Sequence, residues 1–296
     1  MVGRDGELHR LAQLLETGQP QVAVIAGEPG IGKSRLVQEL VAVVPTGVRV
    51  LIGQADPGTL SRPFELLLDA IEPTDGTVDP ALIATVTDPG RPMVERLRAG
   101  IDVVRALTTN HPSMIVFEDL HWADSESAAL FERIADLPGT TRLLVGTYRP
   151  SDVTRRRPVA ELLTRLERRH AVTNVRLDRF TLADTSAFLT AVGGQRPPYR
   201  AAVALHNRTS GNPFFLEELL RAADDTDIAS LCDQPLPWSL AEALRRQLDE
   251  IDPERQRVAE AAAVLGRKIP FDLLAAVTGV PEATLIPTLR DLVSRG

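Results

Sequence analysis

The sequence QVAVIAGEPGIGKSRL, residues 21–36, holds a strand, a glycine-rich loop and the start of a helix in one short stretch. The apolar residues 22–26 have the character of a buried strand, and the spacing of leucines and valines after Lys33 predicts a helix. Between the two elements, GEPGIGKS at residues 27–34 fits the pattern G-x-x-x-x-G-K-[ST] in its required position. The stretch therefore predicts a phosphate-binding loop.

The residue types in this loop suit the chemistry of a nucleotide. Its glycines let the backbone turn, so that N–H groups and the helix N-terminus surround the β- and γ-phosphates. Lys33 supplies a positive charge to the phosphate oxygens, and Ser34 offers a hydroxyl to Mg²⁺. The predicted nucleotide-binding residues of the loop are Gly27, Gly30, Ile31, Gly32, Lys33, Ser34 and Arg35.

The lysine is informative because the chain otherwise uses arginine for positive charge. It contains thirty-one arginines and only two lysines, Lys33 and Lys268. A planar guanidinium does not replace a compact ammonium inside a nest of phosphate oxygens. A lysine at this position therefore indicates a steric requirement.

Composition sets the class of protein and excludes several kinds of site. With 296 residues, 44% hydrophobic and 25% charged, the chain is typical of a soluble globular protein of two or three domains. No apolar run approaches the roughly 20 residues of a membrane span, and no signal peptide opens the chain, so we expect a cytoplasmic location and no membrane partner. The lone Cys232 excludes an internal disulfide and a cysteine-based metal site. The net charge of −7 argues against bulk electrostatic binding to nucleic acid.

A second informative stretch, MIVFED at residues 114–119, ends in two carboxylates. Acids at the carboxyl end of a buried parallel strand lie where open α/β sheets bind ligands, so Glu118 and Asp119 should lie beside the phosphate loop. One carboxylate there can hold Mg²⁺ while the other orients or deprotonates an attacking water. The alternative is that the pair caps the next helix, a position for which Asp124 is better placed.

The next apolar strand, residues 142–147, leads to Arg149. In nucleotide-binding sheets with an acid pair, this strand lies between the phosphate-loop strand and the acid strand. Thr147 and Arg149 are then expected near the γ-phosphate, with Arg149 as a sensor of the terminal phosphate or, alternatively, a surface arginine. His121 and Trp122, just after the acids, are predicted to pack at the sheet edge.

The pattern of strands and helices changes once along the chain. Up to residue 178, strands and crossover helices predict an α/β P-loop NTPase fold with a five-stranded parallel sheet. Beyond Arg179 every predicted element is a helix, with a linker at 224–237 and a last pair of helix-turn-helix proportions. Pro287 is predicted to kink the last helix or delay its start.

With these motifs in order, the chain resembles the regulatory STAND class of AAA-related NTPases, most closely the N-terminal ATPase region of large bacterial LuxR-type transcriptional regulators. GEPGIGKS corresponds to the Walker A motif of that class and residues 115–119 to its Walker B motif. LHWAD at 120–124 resembles the tail of the subgroup, and GTYR at 146–149 its sensor-1 strand end. The acids run Glu118 then Asp119, where many relatives carry two aspartates and AAA+ motors carry Asp then Glu.

Two weaker motifs complete the resemblance. Val2, Gly3 and Arg4, with Glu7, resemble the N-terminal GR motif, which is implied to lie against the adenine. SGNP at residues 210–213 resembles the GxP motif of a helical lid, and its Pro213 is implied to pack near the adenine.

The resemblance implies an ATP- or ADP-binding switch of a signal-responsive transcriptional regulator, with Mg²⁺, slow ATP hydrolysis and self-association in the ATP-bound state. The implied catalytic residues are Asp119, Glu118 and Arg149, and the implied metal ligands are Ser34 and Glu118. We expect a nucleotide-binding domain at 1–178, a helical lid at 179–235 and a partial winged helix at 236–296. The winged helix is expected to continue past Gly296, with sensor and output domains outside this chain.

Two other functions remain open from the sequence. One is an AAA+-like motor that hydrolyses ATP steadily, and the other is a DNA-binding module that uses the terminal helices. The last helix balances Glu282 and Asp291 against Arg290 and Arg295. Sequence-specific binders usually neutralise several phosphates, so we expect this chain not to bind nucleic acid directly.

Overall fold

The computed structural model describes residues 1–17, 19–55, 62–74, 78–137, 141–153, 157–221, 251–265 and 269–295. Cys232, Lys268 and the expected linker at 224–237 lie outside these residues. The chain divides into two compact units, Met1–Asp178 and Arg179–Gly296.

The first unit is built on a parallel sheet. In its described residues the strands are β1 (Gln21–Gly27), β2 (Arg49–Gln54), β3 (Ser113–Glu118), β4 (Thr141–Tyr148) and β5 (Val172–Leu177). Their order across the sheet is β2-β3-β4-β1-β5, and every neighbouring pair is parallel. As predicted, β4 lies between the phosphate-loop strand and the acid strand. The α/β P-loop NTPase fold with a five-stranded parallel sheet is confirmed.

Helices cover both faces of this sheet. In the described part of the unit they are α1 (Asp5–Glu16), α2 (Lys33–Ala42), α3 (Glu65–Ile71), α4 (Pro80–Thr87), α5 (Met93–Thr108), α6 (Ser125–Ala135), α7 (Pro150–Val153) and α8 (Arg157–Arg169). Successive side chains of β3 serve opposite faces, because a strand alternates with a period of two. Met114 and Val116 pack with α1 and α2, whereas Ile115 and Phe117 pack with the core that contains α3 to α6 and α8. This double coverage explains why β3 is buried along its whole length.

The carboxyl end of β2 approaches α3 so closely that residue 53 has no room for a side chain. A Cβ atom on Gly53 would lie 1.9 Å from the backbone oxygen of Leu66, and Leu66 itself is fully buried. Gly6, in α1, has nothing within 4 Å of the same added atom.

We therefore expect Gly53→Ala to lower the free energy of unfolding by about 1–3 kcal/mol or more, the usual cost of overpacking a core. Gly6→Ala is the matched control and should leave stability unchanged or raise it by about 0.5–1 kcal/mol, because alanine favours a helix over glycine. Urea unfolding of both variants tests this prediction. Equal stability of the two variants would show that the β2–α3 approach is looser than described.

The second unit is helical throughout its described residues, as the sequence predicts. Its helices are α9 (Leu182–Gly193), α10 (Tyr199–Thr209), α11 (Pro213–Arg221), α12 (Pro253–Leu265), α13 (Phe271–Thr278) and α14 (Glu282–Arg295). One small core joins α9, α10 and α11 around Leu189, Leu205 and Leu216. A second core joins α12, α13 and α14 around Leu274 and Leu285.

The last helix excludes one of the two alternatives predicted for Pro287. Pro287 lies inside α14, which begins at Glu282, so the proline does not delay the start of the helix. A proline removes a single backbone donor. Leu285 and Thr288, both buried, hold the helix on either side of it. Packing therefore outweighs the loss of one hydrogen bond.

None of the helices in the described ranges combines the length and the apolar character that crossing a bilayer requires.

Candidate functional site

The phosphate loop connects the end of β1 to the start of α2, and its glycines serve two different purposes. Gly30 and Gly32 have φ angles of 70° and 100°, in the left-handed region that favours glycine. Gly27 does not adopt a positive φ, so the expectation that it supplies a turn is wrong. A Cβ atom there would lie 2.6 Å from Cγ2 of Ile31 and 3.2 Å from the backbone oxygen of Leu177. Gly27 is thus required by the close approach of Ile31 within the loop and, less tightly, of Leu177 on β5.

Lys33 directs its ammonium group into the loop. Its Nζ donates hydrogen bonds to the backbone oxygens of Gly27 at 2.9 Å and Glu28 at 3.0 Å. Only 7% of the residue is exposed. Burial, followed by the positive charge of Arg149, lowers the pKa of Lys33 to about 8. The loop therefore holds a compact cation, the ammonium of Lys33. Burial disfavours its charge, and an anionic ligand would stabilise it.

The acid at the end of β3 lies beside the loop, as predicted. The Oγ of Ser34 donates a hydrogen bond to Oε2 of Glu118 at 2.5 Å, across 84 residues of sequence. Glu118 is buried, and burial raises its pKa. The structure thus brings together a hydroxyl and a carboxylate, the two protein ligands that the sequence proposed for Mg²⁺.

This donor set fits a magnesium nucleotide better than a metal held by protein alone. Among the described residues, no group of three or more His, Cys, Asp or Glu side chains could hold a metal ion. Mg²⁺ is commonly bound by one or two protein ligands, with phosphate oxygens and water completing its octahedron. Ser34 and Glu118 would contribute that protein share, and Gly32 of the same loop leaves open space, since a Cβ atom there would meet nothing within 4 Å.

Asp119 is held in an unusual backbone conformation by its neighbours. Its φ angle is 56°, and its N–H donates a hydrogen bond to Oγ1 of Thr147 at 2.9 Å. Thr147 is fully buried, so its hydroxyl positions the backbone of the acid. The side chain of Asp119 accepts a hydrogen bond from Nε2 of Gln54, the last residue of β2, at 3.4 Å.

Neither acid serves as a helix cap. Asp119 makes no side-chain capping bond to the short 3₁₀ helix Leu120–Trp122 that follows it. Asp124 caps α6 instead, because its side chain accepts a hydrogen bond from the backbone N–H of Ser127 at 2.8 Å. The alternative interpretation of the acid pair is therefore wrong.

Arg149 follows β4 and lies close to a carboxylate that the sequence analysis did not single out. Its Nη1 is 3.9 Å from Oδ2 of Asp152, on α7. Its Nε is buried and has no hydrogen-bond partner among the described residues. A buried donor without a partner fits an arginine that receives an anionic ligand.

His121 lies deeper in the structure than its prediction required. It is only 1% exposed and packs on Trp122, with ring centroids 5.6 Å apart, as expected for a residue at the sheet edge. Its Nδ1 is also 3.7 Å from Oδ1 of Asp119, and its Nε2 is 3.7 Å from Oδ2 of Asp152. Sequence reasoning missed this position, and it also missed Gln54 and Asp152. The sequence feature that could have identified these residues is their place, since each lies at or just beyond the carboxyl end of a strand.

The residues implied to contact adenine at the N-terminus, and Arg35 after the phosphate loop, differ in how far their side chains are buried. Arg4 is buried and donates hydrogen bonds to Oε1 of Glu7, at 3.3 Å, and to the backbone oxygen of Asp178. Val2 and Gly3 form the turn before it. The side chain of Arg35 is 67% exposed and pairs with Glu39 at 2.6 Å, so only its backbone faces the loop side of α2.

Pro213 belongs to the second unit. Ser210 and Gly211, with φ angles of 51° and 72°, end α10, and Pro213 is the first residue of α11. A Cβ atom on Gly211 would lie 2.3 Å from the backbone oxygen of Phe180. Residues 210–212 therefore separate α10 from α11, and the close approach of Phe180 explains the glycine.

Comparisons with known proteins give matches to a family model and to a curated relative. Residues 1–145 match the family model of the AAA ATPase domain. An uncharacterised protein of Rhizobium meliloti (strain 1021) is 26% identical over 329 residues, which cover 94% of this chain and 31% of that protein. The chain thus spans about a third of that relative.

Two solved structures share the fold. The ORC2 protein of Aeropyrum pernix has a TM-score of 0.66 and 17% identity, with 100% of this chain and 87% of that chain covered. The Walker-type ATPase of Pyrococcus abyssi has a TM-score of 0.64 and 18% identity, with 100% and 90% covered. These likenesses show a shared fold, and the domain match relates residues 1–145 to AAA ATPases.

Proposed function

We propose that this AAA-related module is an adenine-nucleotide switch of a signal-responsive transcriptional regulator, which binds ATP or ADP with Mg²⁺ and hydrolyses ATP slowly. The observation that carries the proposal is the contact of 2.5 Å between Oγ of Ser34 and Oε2 of Glu118 beside the ammonium of Lys33. Such a hydroxyl, carboxylate and ammonium are the groups that a magnesium nucleotide requires of a phosphate loop.

Each residue of the site has a separate role in this proposal. Lys33 exchanges its two backbone acceptors for β- and γ-phosphate oxygens. Bound Mg²⁺ would neutralise phosphate charge, with Ser34 and Glu118 as its protein ligands. Asp119 orients or deprotonates the attacking water, and Arg149 contacts the terminal phosphate with the donors that Asp152 does not occupy.

A switch needs contacts that differ between its two states. Arg149 can supply such a difference, since its ion pair with Asp152 is long, at 3.9 Å. A γ-phosphate would compete for this guanidinium, whereas ADP would leave it with Asp152. Val2, Gly3, Arg4 and Pro213 are the proposed contacts to adenine and would report the nucleotide to the helical lid.

The comparisons support the regulatory part only indirectly. The A. pernix structure is described as containing complexes with ADPNP and ADP, the pair of ligands that a switch distinguishes. This chain covers 31% of its Rhizobium relative, which fits a module that works together with sensor and output domains. Self-association in the ATP-bound state is part of the same proposal.

The nucleotide content of the purified protein and its turnover test the proposal together. We expect a stoichiometric adenine nucleotide after purification and steady hydrolysis well below about 1 s⁻¹, the lower end of typical enzyme turnover. Steady turnover above that rate would favour the alternative of an AAA+-like motor. A protein that neither carries nor binds adenine nucleotide would contradict both functions.

Nucleotide affinity should depend on pH because of Lys33. Its ammonium form binds phosphate, and its pKa of about 8 means that the free protein loses this form as the pH rises through that value. Binding above this pKa requires proton uptake. The affinity for ADP without Mg²⁺ should therefore change little between about pH 7, where the terminal phosphate is ionised, and pH 8, and fall by up to about tenfold per pH unit above pH 8. Calorimetry in buffers of different ionisation enthalpy measures the uptake. Adenosine, which carries no phosphate, is the control and should show no such dependence.

A further inference from the structure

One cluster of side chains joins the two residues that the proposed function uses at the terminal phosphate. It consists of Asp119, His121, Asp152 and Arg149, and we call it the His121 cluster. The ring of His121 faces Asp119 with Nδ1 and Asp152 with Nε2, at 3.7 Å in each case. The same oxygen of Asp152, Oδ2, lies 3.9 Å from Nη1 of Arg149. The imidazole therefore connects the acid after β3 to the carboxylate that pairs with the arginine after β4.

Burial gives this arrangement a defined geometry. His121 is 1% exposed, and Trp122 packs against its ring, so the imidazole has little freedom to turn away from either carboxylate. Asp119 is fixed from other directions by Thr147 and Gln54. A small displacement of Asp152 is thus transmitted to the ring and from the ring to the acid, since close-packed interiors transmit strain.

The cluster also lies within electrostatic reach of the phosphate loop. The charges of Arg149, Asp119 and Asp152 all act on the pKa of Lys33. An anion that binds at Lys33 therefore attracts Arg149 and weakens its pairing with Asp152. Asp152 then has His121 as its remaining close cationic or donor group among these four residues.

We infer that His121 is a positioning residue, which orients Asp119 and couples that orientation to the contact of Arg149 with the terminal phosphate. The inference rests on the proposed function and extends it, because it states how the presence of a γ-phosphate would reach the acid that positions water. It requires no chemical step at the imidazole. The ring acts as a rigid link with one polar edge toward each carboxylate.

The test compares hydrolysis with binding in variants of the whole chain. His121→Phe keeps a ring of similar size and removes both polar edges, and Asp152→Asn removes the second carboxylate at a partly exposed position. We expect each variant to slow single-turnover hydrolysis of bound ATP by about tenfold or more, because small displacements of a catalytic group reduce rates strongly. The affinity for ADP should fall far less than hydrolysis, since the Nζ of Lys33 is held by the backbone oxygens of Gly27 and Glu28.

A double variant and a matched control complete the experiment. His121→Phe with Asp152→Asn should lose no more activity than either single variant, because both break one link. His170→Phe makes the same change at a histidine that faces Asp136 at 3.0 Å, at the amino end of β5, and should leave hydrolysis unchanged.

Three results would overturn the inference. They are wild-type hydrolysis in His121→Phe, a double variant whose loss is the product of the two single losses, and an equal loss of ADP affinity and hydrolysis together with a lower Tm. In each of these cases the proposed nucleotide switch would stand. Wild-type protein that binds no adenine nucleotide would instead remove the proposed function, and the inference with it.

Discussion

Lys33→Ala is expected to weaken the binding of ATP and ADP by about a hundredfold or more, since hydrogen bonds to charged groups contribute about 1.5–3 kcal/mol each. Lys33→Arg should be nearly as damaging. The Nζ atom lies 2.9 Å and 3.0 Å from the backbone oxygens of Gly27 and Glu28, in a site where the residue is 7% exposed. A planar guanidinium is too wide for a position that these two carbonyls define.

Titration with a fluorescent nucleotide measures both variants. Arg105→Ala removes one positive charge from an exposed position on α5 and should leave the affinity within about twofold, because exposed ion pairs contribute little. Lys33→Ala should not lower the Tm, since burial disfavours the charge that it removes. Wild-type affinity in Lys33→Arg would refute the steric argument for a lysine in this arginine-rich chain.

The second large effect concerns the two acids. Substitution of one should impair nucleotide binding, and substitution of the other should impair hydrolysis. Glu118→Gln should weaken Mg²⁺-dependent binding of ATP and leave Mg²⁺-independent binding of ADP largely intact, because Glu118 is the partner of Ser34. Asp119→Asn should still bind ATP with Mg²⁺ but lose hydrolysis by about 10²-fold or more if it acts as a general base. One residue acts on ground-state binding and the other mainly on the transition state.

Titration of Mg²⁺ against nucleotide affinity, together with single-turnover hydrolysis, distinguishes the two roles. Asp102→Asn, at an exposed carboxylate on α5 that pairs with Arg105, is the control and should change neither quantity. If Asp119→Asn loses the Mg²⁺ dependence and Glu118→Gln loses only turnover, the two roles must be exchanged. The order Glu then Asp makes this outcome informative, because the longer Glu118 side chain could itself reach the water.

The sequence by itself determined the sheet and the core of the site. Apolar runs at residues 22–26 and 142–147 predicted β1 and β4, which span Gln21–Gly27 and Thr141–Tyr148, and the loop between a strand and a helix identified Lys33 and Ser34. The acids after β3 followed from a general property of parallel sheets, whose carboxyl ends meet at one edge. These features are local or topological, so a pattern along the chain is enough to predict them.

Only the tertiary structure decided which side chains complete that site. Asp152 and Gln54 carry no motif, and they reach His121 and Asp119 because β2, β3 and β4 are neighbours in the sheet. Thr147 was expected near a phosphate, yet its hydroxyl is used by the backbone of Asp119.

Tertiary packing also explains the residue type at positions where a neighbouring element leaves little or no room for a side chain. Gly53 is a glycine because Leu66 approaches it from another element, not because the chain turns there. Pro287 lies inside α14 because buried side chains on either side of it stabilise the helix. Such contacts depend on packing distances between elements far apart in sequence, and local periodicity carries no information about those distances.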